Sequence, residues 1–143
     1  MTQNNKHIRI FFIQVKTDEM KRKKITEHAM EYFEKKSPLL FKVPHQKAVD
    51  YLDLLLWRYP QDSFLPHSVE NTHLKELITI TTSKENPNEA KSLFNLTAKP
   101  IDNTNLFFTH IYEFEDLSST ARNKNAQDRY KIYKEQGFSI ITV

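Results

Sequence analysis

The residues best placed to do chemistry in this sequence form a basic stripe near its carboxyl end. In the segment 122–136 (RNKNAQDRYKIYKEQ), a helical repeat of 100° per residue puts Ala126, Arg129 and Tyr133 on one side. The opposite side carries a basic stripe with an aromatic ring at its margin, made of Lys124, Gln127, Tyr130, Lys131 and Lys134. Such a stripe suits an acidic peptide as a ligand, but an ordinary solvent-exposed helix has the same composition.

A second group of informative residues is aromatic and lies in the segment 55–68 (LLWRYPQDSFLPHS). Trp57 follows an apolar stripe at the predicted end of a helix, and Tyr59 and Phe64 lie in a loop that contains two prolines. If the rings are buried, the segment is a cap on the core. If they are exposed on a rigid loop, they have the composition of a protein-binding hot spot.

No combination of residues supports catalysis. Asp62 and His67 could suggest acid–base chemistry, but no nucleophile and no metal-ligand spacing accompanies them. The chain has no cysteine and one glycine, Gly137, whereas phosphate-binding loops need several glycines. We therefore expect no catalytic residue, no metal, no cofactor and no conventional nucleotide site.

A further basic run, Lys16 and residues 21–24 (KRKK), lies close to the amino end. Acidic residues are interleaved with these bases, namely Asp18, Glu19, Glu27 and Glu31. Because both signs of charge alternate, the run is interpreted as a solvated helix face and not as a phosphate-binding patch.

The first half of the chain predicts two strands, each followed by a helix. Ile8–Val15 is apolar on both faces and is interpreted as the first, central strand. An amphipathic helix follows over Asp18–Lys36, and then a strand over Leu39–Val43. The second helix ends before Pro60, and its predicted packing positions are Ala48, Tyr51, Leu52, Leu55 and Leu56.

The second half predicts further strands and a final helix. A loop covers Tyr59–Ser68, and the expected strands are Leu77–Thr82, Ser92–Thr97, Phe107–Phe114 and Phe138–Val143. Ser118 or Ser119 can cap the last helix, which runs to Gln136 and is ended by Gly137. Alternating strands and helices predict an α/β fold of three layers, α/β/α, around a mainly parallel sheet.

Length and composition indicate one small domain over residues 1–143. Apolar residues make up 38% of the chain and occur in short runs, so no segment is expected to cross a membrane. Met1–Lys6 is polar and lacks the apolar stretch of a secretory signal, which makes the cytoplasm the expected location. The net charge of +3 is too small for a dedicated nucleic-acid coat protein.

Three segments together resemble one protein family. The segment 52–68 (LDLLLWRYPQDSFLPHS) has a helix ending in Leu-Trp, a proline, and then Ser-Phe-Leu-Pro-His. Residues 92–96 (SLFNL) form a short apolar strand motif, and residues 129–140 (RYKIYKEQGFSI) have the order Arg-Tyr-Lys-x-Tyr, followed by Gly-Phe. In these motifs, their order and the overall length, the chain resembles the chi subunit of bacterial DNA polymerase III.

The resemblance implies a non-catalytic adaptor with a fold like that of nucleotide-binding domains, but without the phosphate loop. In the family, chi binds the acidic, phenylalanine-terminated tail of single-stranded-DNA-binding protein on one surface. It binds the psi subunit of the clamp loader on another. At matching positions, Trp57 and Phe64 would face psi. The tail would bind Lys124, Tyr130, Lys131 and Lys134.

The chain departs from the family pattern in two places. Gln127 stands one turn before Tyr130, where the family often has an arginine, and Glu115–Thr120 aligns poorly. Three alternatives remain open. The same fold could serve a DNA repair helicase instead of psi, it could contact nucleic acid directly, or it could belong to an enzyme of the nucleotide-binding class.

Overall fold

A computed structural model describes residues 7–58, 65–69, 76–102 and 108–143 of the chain. Strands and helices alternate along most of this length. In chain order the elements are β1 Arg9–Val15, α1 Asp18–Glu34, β2 Leu39–Lys42, α2 Gln46–Arg58, β3 Ser68–Val69, β4 Ile78–Thr81, β5 Ser92–Asn95, β6 His110–Asp116, α3 Thr120–Glu135 and β7 Ser139–Thr142.

The seven strands form a single sheet in the order β3-β4-β2-β5-β6-β1-β7, and every neighbouring pair is parallel. On one face, Ile13 and Val15 of β1 join the core beneath α1 and α2. On the other face, Ile10 and Phe12 of the same strand pack with Tyr133 of α3. The predicted three-layer α/β/α architecture with a parallel sheet is therefore confirmed.

Strand β1 is placed differently from the prediction of a central strand. It is paired on both sides and apolar on both faces, as its sequence indicates, but its neighbour β7 is the edge strand. The last strand of the chain therefore joins the sheet beside the first. The apolar pattern could not reveal this, because burial on both faces reports the layers above and below the sheet and not the position of a strand within the strand order.

Helix α2 is rotated relative to the predicted packing face. Leu52, Leu55 and Leu56 are buried as expected, but Tyr51 is 54% exposed, and Val49 lies in the core. Tyr51 fits the predicted packing stripe because several apolar positions in this run fit a helical repeat. Burial resolves the ambiguity and leaves Tyr51 on the solvent side.

The region that follows α2 contains a strand that the sequence analysis missed. Ser68–Val69 pairs in parallel with β4, within a segment otherwise predicted as loop. Two residues are too few for a period of two to be read from the sequence. Residues 59–64 lie outside the described part of the chain, so the predicted positions of Tyr59 and Phe64 are not tested.

The ends of α3 follow the sequence closely. Ser119 is the N-cap residue, and its Oγ accepts a hydrogen bond of 3.1 Å from the backbone N–H of Arg122. Ser118 instead donates to Asp116 at the end of β6. After the helix, Gly137 has a φ of +84°, the left-handed conformation predicted for it.

Replacing Gly137 with alanine should destabilise the fold by about 1 kcal/mol, because a side chain disfavours a left-handed backbone. No heavy atom lies within 4 Å of the added Cβ, so the cost comes from the backbone and not from a clash. Urea unfolding measures this change. Glu135→Ala, an exposed change two residues earlier, is the control and should have little effect.

Candidate partner-binding surfaces

Helix α3 is anchored by a buried network of polar groups. The guanidinium of Arg129 donates to the carboxylate of Glu113 and, at 3.2 Å, to the carbonyl of Phe114. The second oxygen of Glu113 accepts from the Tyr133 hydroxyl and from the Asn95 amide. Burial raises the pKa of Glu113 to about 7, while the charge of Arg129 acts in the opposite direction. The network fixes the rotation of α3 about its axis.

This rotation presents the predicted basic residues to solvent. Ala126, Arg129 and Tyr133 are the buried residues of the helix, as the sequence predicts. Lys131 and Lys134 are exposed and form no ion pair with any described residue. We call the solvent side of the helix the α3 basic surface, and define it as Lys124, Tyr130, Lys131 and Lys134.

The four residues of the α3 basic surface differ in their surroundings. Tyr130 is half-buried, and its ring meets the edge of Phe12 with a centroid distance of 5.3 Å. The ammonium group of Lys124 lies 3.5 Å from the Asp128 carboxylate, so an anionic ligand would have to compete with this exposed pair. The surface therefore combines two ammonium groups, unpaired among the described residues, with a ring that packs on Phe12, an arrangement suited to an anionic ligand with an apolar group.

A second candidate surface lies on the solvent side of α2. Tyr51, Leu54 and Trp57 are 54%, 48% and 39% exposed and recur every three residues. We call these three residues the α2 apolar surface. Trp57 stands out in the sequence but Leu54 does not, because Leu54 belongs to a run of three leucines whose other two members are buried. Adjoining exposed apolar side chains on one helix make this side of α2 a candidate protein-binding surface.

The indole of Trp57 lies against a buried histidine. Its ring centroid is 4.8 Å from that of His67. One ring nitrogen of His67 lies 2.7 Å from a carboxylate oxygen of Asp53, and the other lies 2.7 Å from the Leu65 carbonyl. His67 thus connects α2 to the chain before β3 and supports Trp57 from below. The carboxylate beside His67 is therefore that of Asp53. Asp62, which was considered together with His67 in the sequence, lies outside the described residues.

The basic run on α1 is only partly a solvated face, which corrects the sequence interpretation. Lys21 is drawn inward, where its ammonium group lies 2.8 Å from Asp116 and 3.2 Å from Asp18. Arg122 of α3 also pairs with Asp18, at 3.2 Å. Lys23, in contrast, is exposed, and its ammonium group lies 3.9 Å from the Glu27 carboxylate in a loose surface pair. The polar network joins the starts of α1 and α3.

Within the described ranges, no group of three or more histidine, aspartate or glutamate side chains is arranged to hold a metal ion. In the same ranges, no helix is long and apolar enough to cross a membrane.

An all-parallel sheet between helical layers, with a basic surface on one helix and an apolar surface on another, defines a small three-layer α/β protein. A family model described as DNA polymerase III chi subunit, HolC, matches residues 8–141. The chain therefore belongs to the DNA polymerase III chi subunit family, which confirms the resemblance found in the sequence. Comparison with curated proteins gives no match. The family is one of accessory subunits of DNA polymerase III, a complex of DNA replication.

Proposed function

We propose that the chain is a non-catalytic, single-domain adaptor of the replicative polymerase in the cytoplasm. In this proposal the α3 basic surface binds the acidic, phenylalanine-terminated tail of single-stranded-DNA-binding protein. The α2 apolar surface binds a clamp-loader partner, psi. Membership of the chi family, over residues 8–141, is the observation that carries the proposal. In this proposal the chain contacts DNA only indirectly, through single-stranded-DNA-binding protein.

The α3 basic surface has the chemistry that such a tail requires. Lys131 and Lys134 are free to pair with carboxylates of the tail, and the supported ring of Tyr130 offers an apolar contact for its phenylalanine. Each exposed charge pair contributes about 1 kcal/mol or less, so binding by one tail should be moderate and salt-sensitive. A partner with several tails would compensate by raising the effective concentration of the next tail.

Calorimetric titration with synthetic peptides tests the specificity of this surface. An acidic peptide that ends in phenylalanine should bind, and the same peptide without its last residue should bind several-fold more weakly. The reason is that lysines alone would accept almost any acidic strand. Equal affinities for the two peptides would reduce the proposed site to general charge attraction.

Trp57→Ala should leave the fold largely intact while it weakens the clamp-loader contact. The side chain is 39% exposed, so its loss should cost less than the roughly 3 to 5 kcal/mol typical of a buried tryptophan. Thermal melting of the variant measures the first effect, and retention of purified psi on the immobilised chain measures the second. A collapsed melting transition would show that Trp57 serves as a cap on the core.

Leu54→Ala extends the test to the residue that the sequence analysis missed. Leu54 shares the exposed side of α2 with Trp57, so its truncation should also reduce psi retention and leave melting unchanged. Lys131→Ala is the matched control, because Lys131 lies on the other face of the sheet. If the chain retained a DNA repair helicase and not psi, the α2 apolar surface would remain the binding site, but its partner would be the helicase.

A further inference from the structure

A cavity of about 880 Å³ opens at the carboxyl ends of the parallel strands. Val43 after β2, Leu96 after β5 and Asp116 at the end of β6 line it, together with the first residues of α1, α2 and α3. Its volume lies within the roughly 300 to 1,000 Å³ of small-molecule sites. The crevice outside the carboxyl ends of the strands is also where open parallel sheets bind their ligands.

This cavity is separate from the α3 basic surface. Arg122, Asn125 and Arg129 are the α3 residues that extend into it along with Ala121, whereas Tyr130 and Lys131 do not line it. The two features therefore lie on different sides of the same helix. A ligand in the cavity would leave the proposed tail surface free.

The cavity has an excess of positive charge. Its two carboxylates are already paired, because Asp116 is bound by Lys21 and Asp18 by both Lys21 and Arg122. Arg22 and Lys47 also line the cavity, and neither forms an ion pair with any described residue. These two cations, one from α1 and one from α2, are available to an anion. Two cations match the charge of a phosphate monoester, which is about −1.5 to −2 at neutral pH.

The walls are apolar and the floor is polar. Pro44, Ala48 and Leu96 are not fully buried and contribute apolar surface that would pack against a ligand body. At the floor, Arg129 is held by hydrogen bonds to Asn125, Glu113 and the Phe114 carbonyl, which keeps a positive charge beneath the cavity. At the mouth, Tyr51 exposes more than half of its surface, so its ring is accessible for stacking, and a ligand there would share this one residue with the α2 apolar surface.

We propose that the cavity binds a small phosphorylated ligand with a flat body, of the size of a nucleoside monophosphate, and that Arg22 and Lys47 hold its phosphate. The only glycine, Gly137, lies after α3, at the opposite end of that helix from the cavity. Side-chain cations thus take the place of the glycine-rich loop whose absence excludes a conventional nucleotide site. No catalytic step is implied.

Titration calorimetry of the full chain with AMP, GMP, CMP and UMP tests the proposal. At least one monophosphate should bind, while its nucleoside and inorganic phosphate should each bind about tenfold more weakly or worse, because each lacks half of the contacts. Failure of all four monophosphates at millimolar concentration would overturn the proposal. Equal binding of the nucleoside would also overturn it, because the phosphate would then have no role.

Variants locate the site on the chain. Arg22→Ala and Lys47→Ala should each weaken binding of the best monophosphate about tenfold. Lys23→Ala, next to Arg22 but exposed, should not change it. Ala98→Trp places a large ring in the cavity from an exposed position and should abolish binding without lowering the melting temperature.

Two outcomes would contradict the proposed site or its ligand. Equal losses in Lys23→Ala and Lys47→Ala would place the nucleotide elsewhere. Tighter binding of a 5′-phosphorylated tetranucleotide than of any monophosphate would replace the small ligand with a DNA strand end. The acidic peptide should bind all these variants normally, so the cavity can fail without affecting the proposed adaptor function.

Discussion

Arg129→Met should destabilise the fold by roughly 3 to 5 kcal/mol, because it leaves the buried carboxylate of Glu113 without its cation. Glu113 is fully buried, and Arg129 supplies the one positive charge among its hydrogen-bonding partners. Methionine keeps an unbranched stem in place of the arginine stem and removes the guanidinium, so much of the packing of the stem is retained while the charge is lost. Urea unfolding at pH 8 measures the effect.

The loss should shrink in acid, which separates a charge effect from a packing effect. Burial already holds the pKa of Glu113 above its ordinary value of 4.5, and removal of the opposing cation should raise that pKa further. Stability from a carboxyl with a raised folded pKa is fully present below the unfolded pKa and is lost as pH rises through the folded pKa. The variant should therefore be closer to the wild type at pH 5 than at pH 8.

Two further variants control this prediction. In Glu113→Gln/Arg129→Met the carboxylate is gone, so this double variant should be more stable than Arg129→Met at pH 8 but not at pH 5. Arg122→Met removes an exposed arginine of the same helix and should change stability little. An equal loss at both pH values for Arg129→Met would show that lost packing dominates.

Local patterns in the sequence predicted the features that depend on neighbouring residues. The helical repeat separated Ala126 and Tyr133 from the lysines of α3, and the structure buries the first side and exposes the second. The glycine after the helix adopts the predicted left-handed conformation. Both results follow from the geometry of one element, and this geometry does not depend on the rest of the chain.

Features that join distant parts of the chain were missed, because a local pattern carries no information about residues far away in the sequence. The pairing of Lys21 with Asp116 connects residues 95 positions apart, so the lysine resembled any exposed base in its local run. Arg129 was placed on the inner side of α3, but nothing in its own segment identified Glu113 as its partner. The cavity at the strand ends likewise depends on sheet order, which no local pattern specifies.

Reversing the charge of Lys131 should reduce binding of the acidic peptide more than removing the charge does. Lys131 is exposed and unpaired among the described residues, so Lys131→Ala should lose one charge contact and weaken binding about fivefold. Lys131→Glu adds repulsion to that loss and should weaken binding about twentyfold. Neither variant should change the melting temperature.

Lys23 is a better control position for charge reversal than Lys21. Lys21 is unsuitable, because a glutamate there would face Asp116 and Asp18 and would disturb the start of α1. Lys23→Glu changes the net charge equally, on an exposed part of the helix layer across the sheet. It should barely alter peptide binding, since exposed charges more than roughly 8–10 Å apart are screened at physiological salt.

Fluorescence anisotropy of a labelled acidic peptide ending in phenylalanine, titrated with the wild type, Lys131→Glu and Lys23→Glu at physiological salt, tests the proposed tail surface most directly. The proposal predicts a large loss of affinity for Lys131→Glu and none for Lys23→Glu. Equal affinities for the two variants would contradict it, whether both fall together or neither changes, because the peptide would then not be bound by the α3 basic surface.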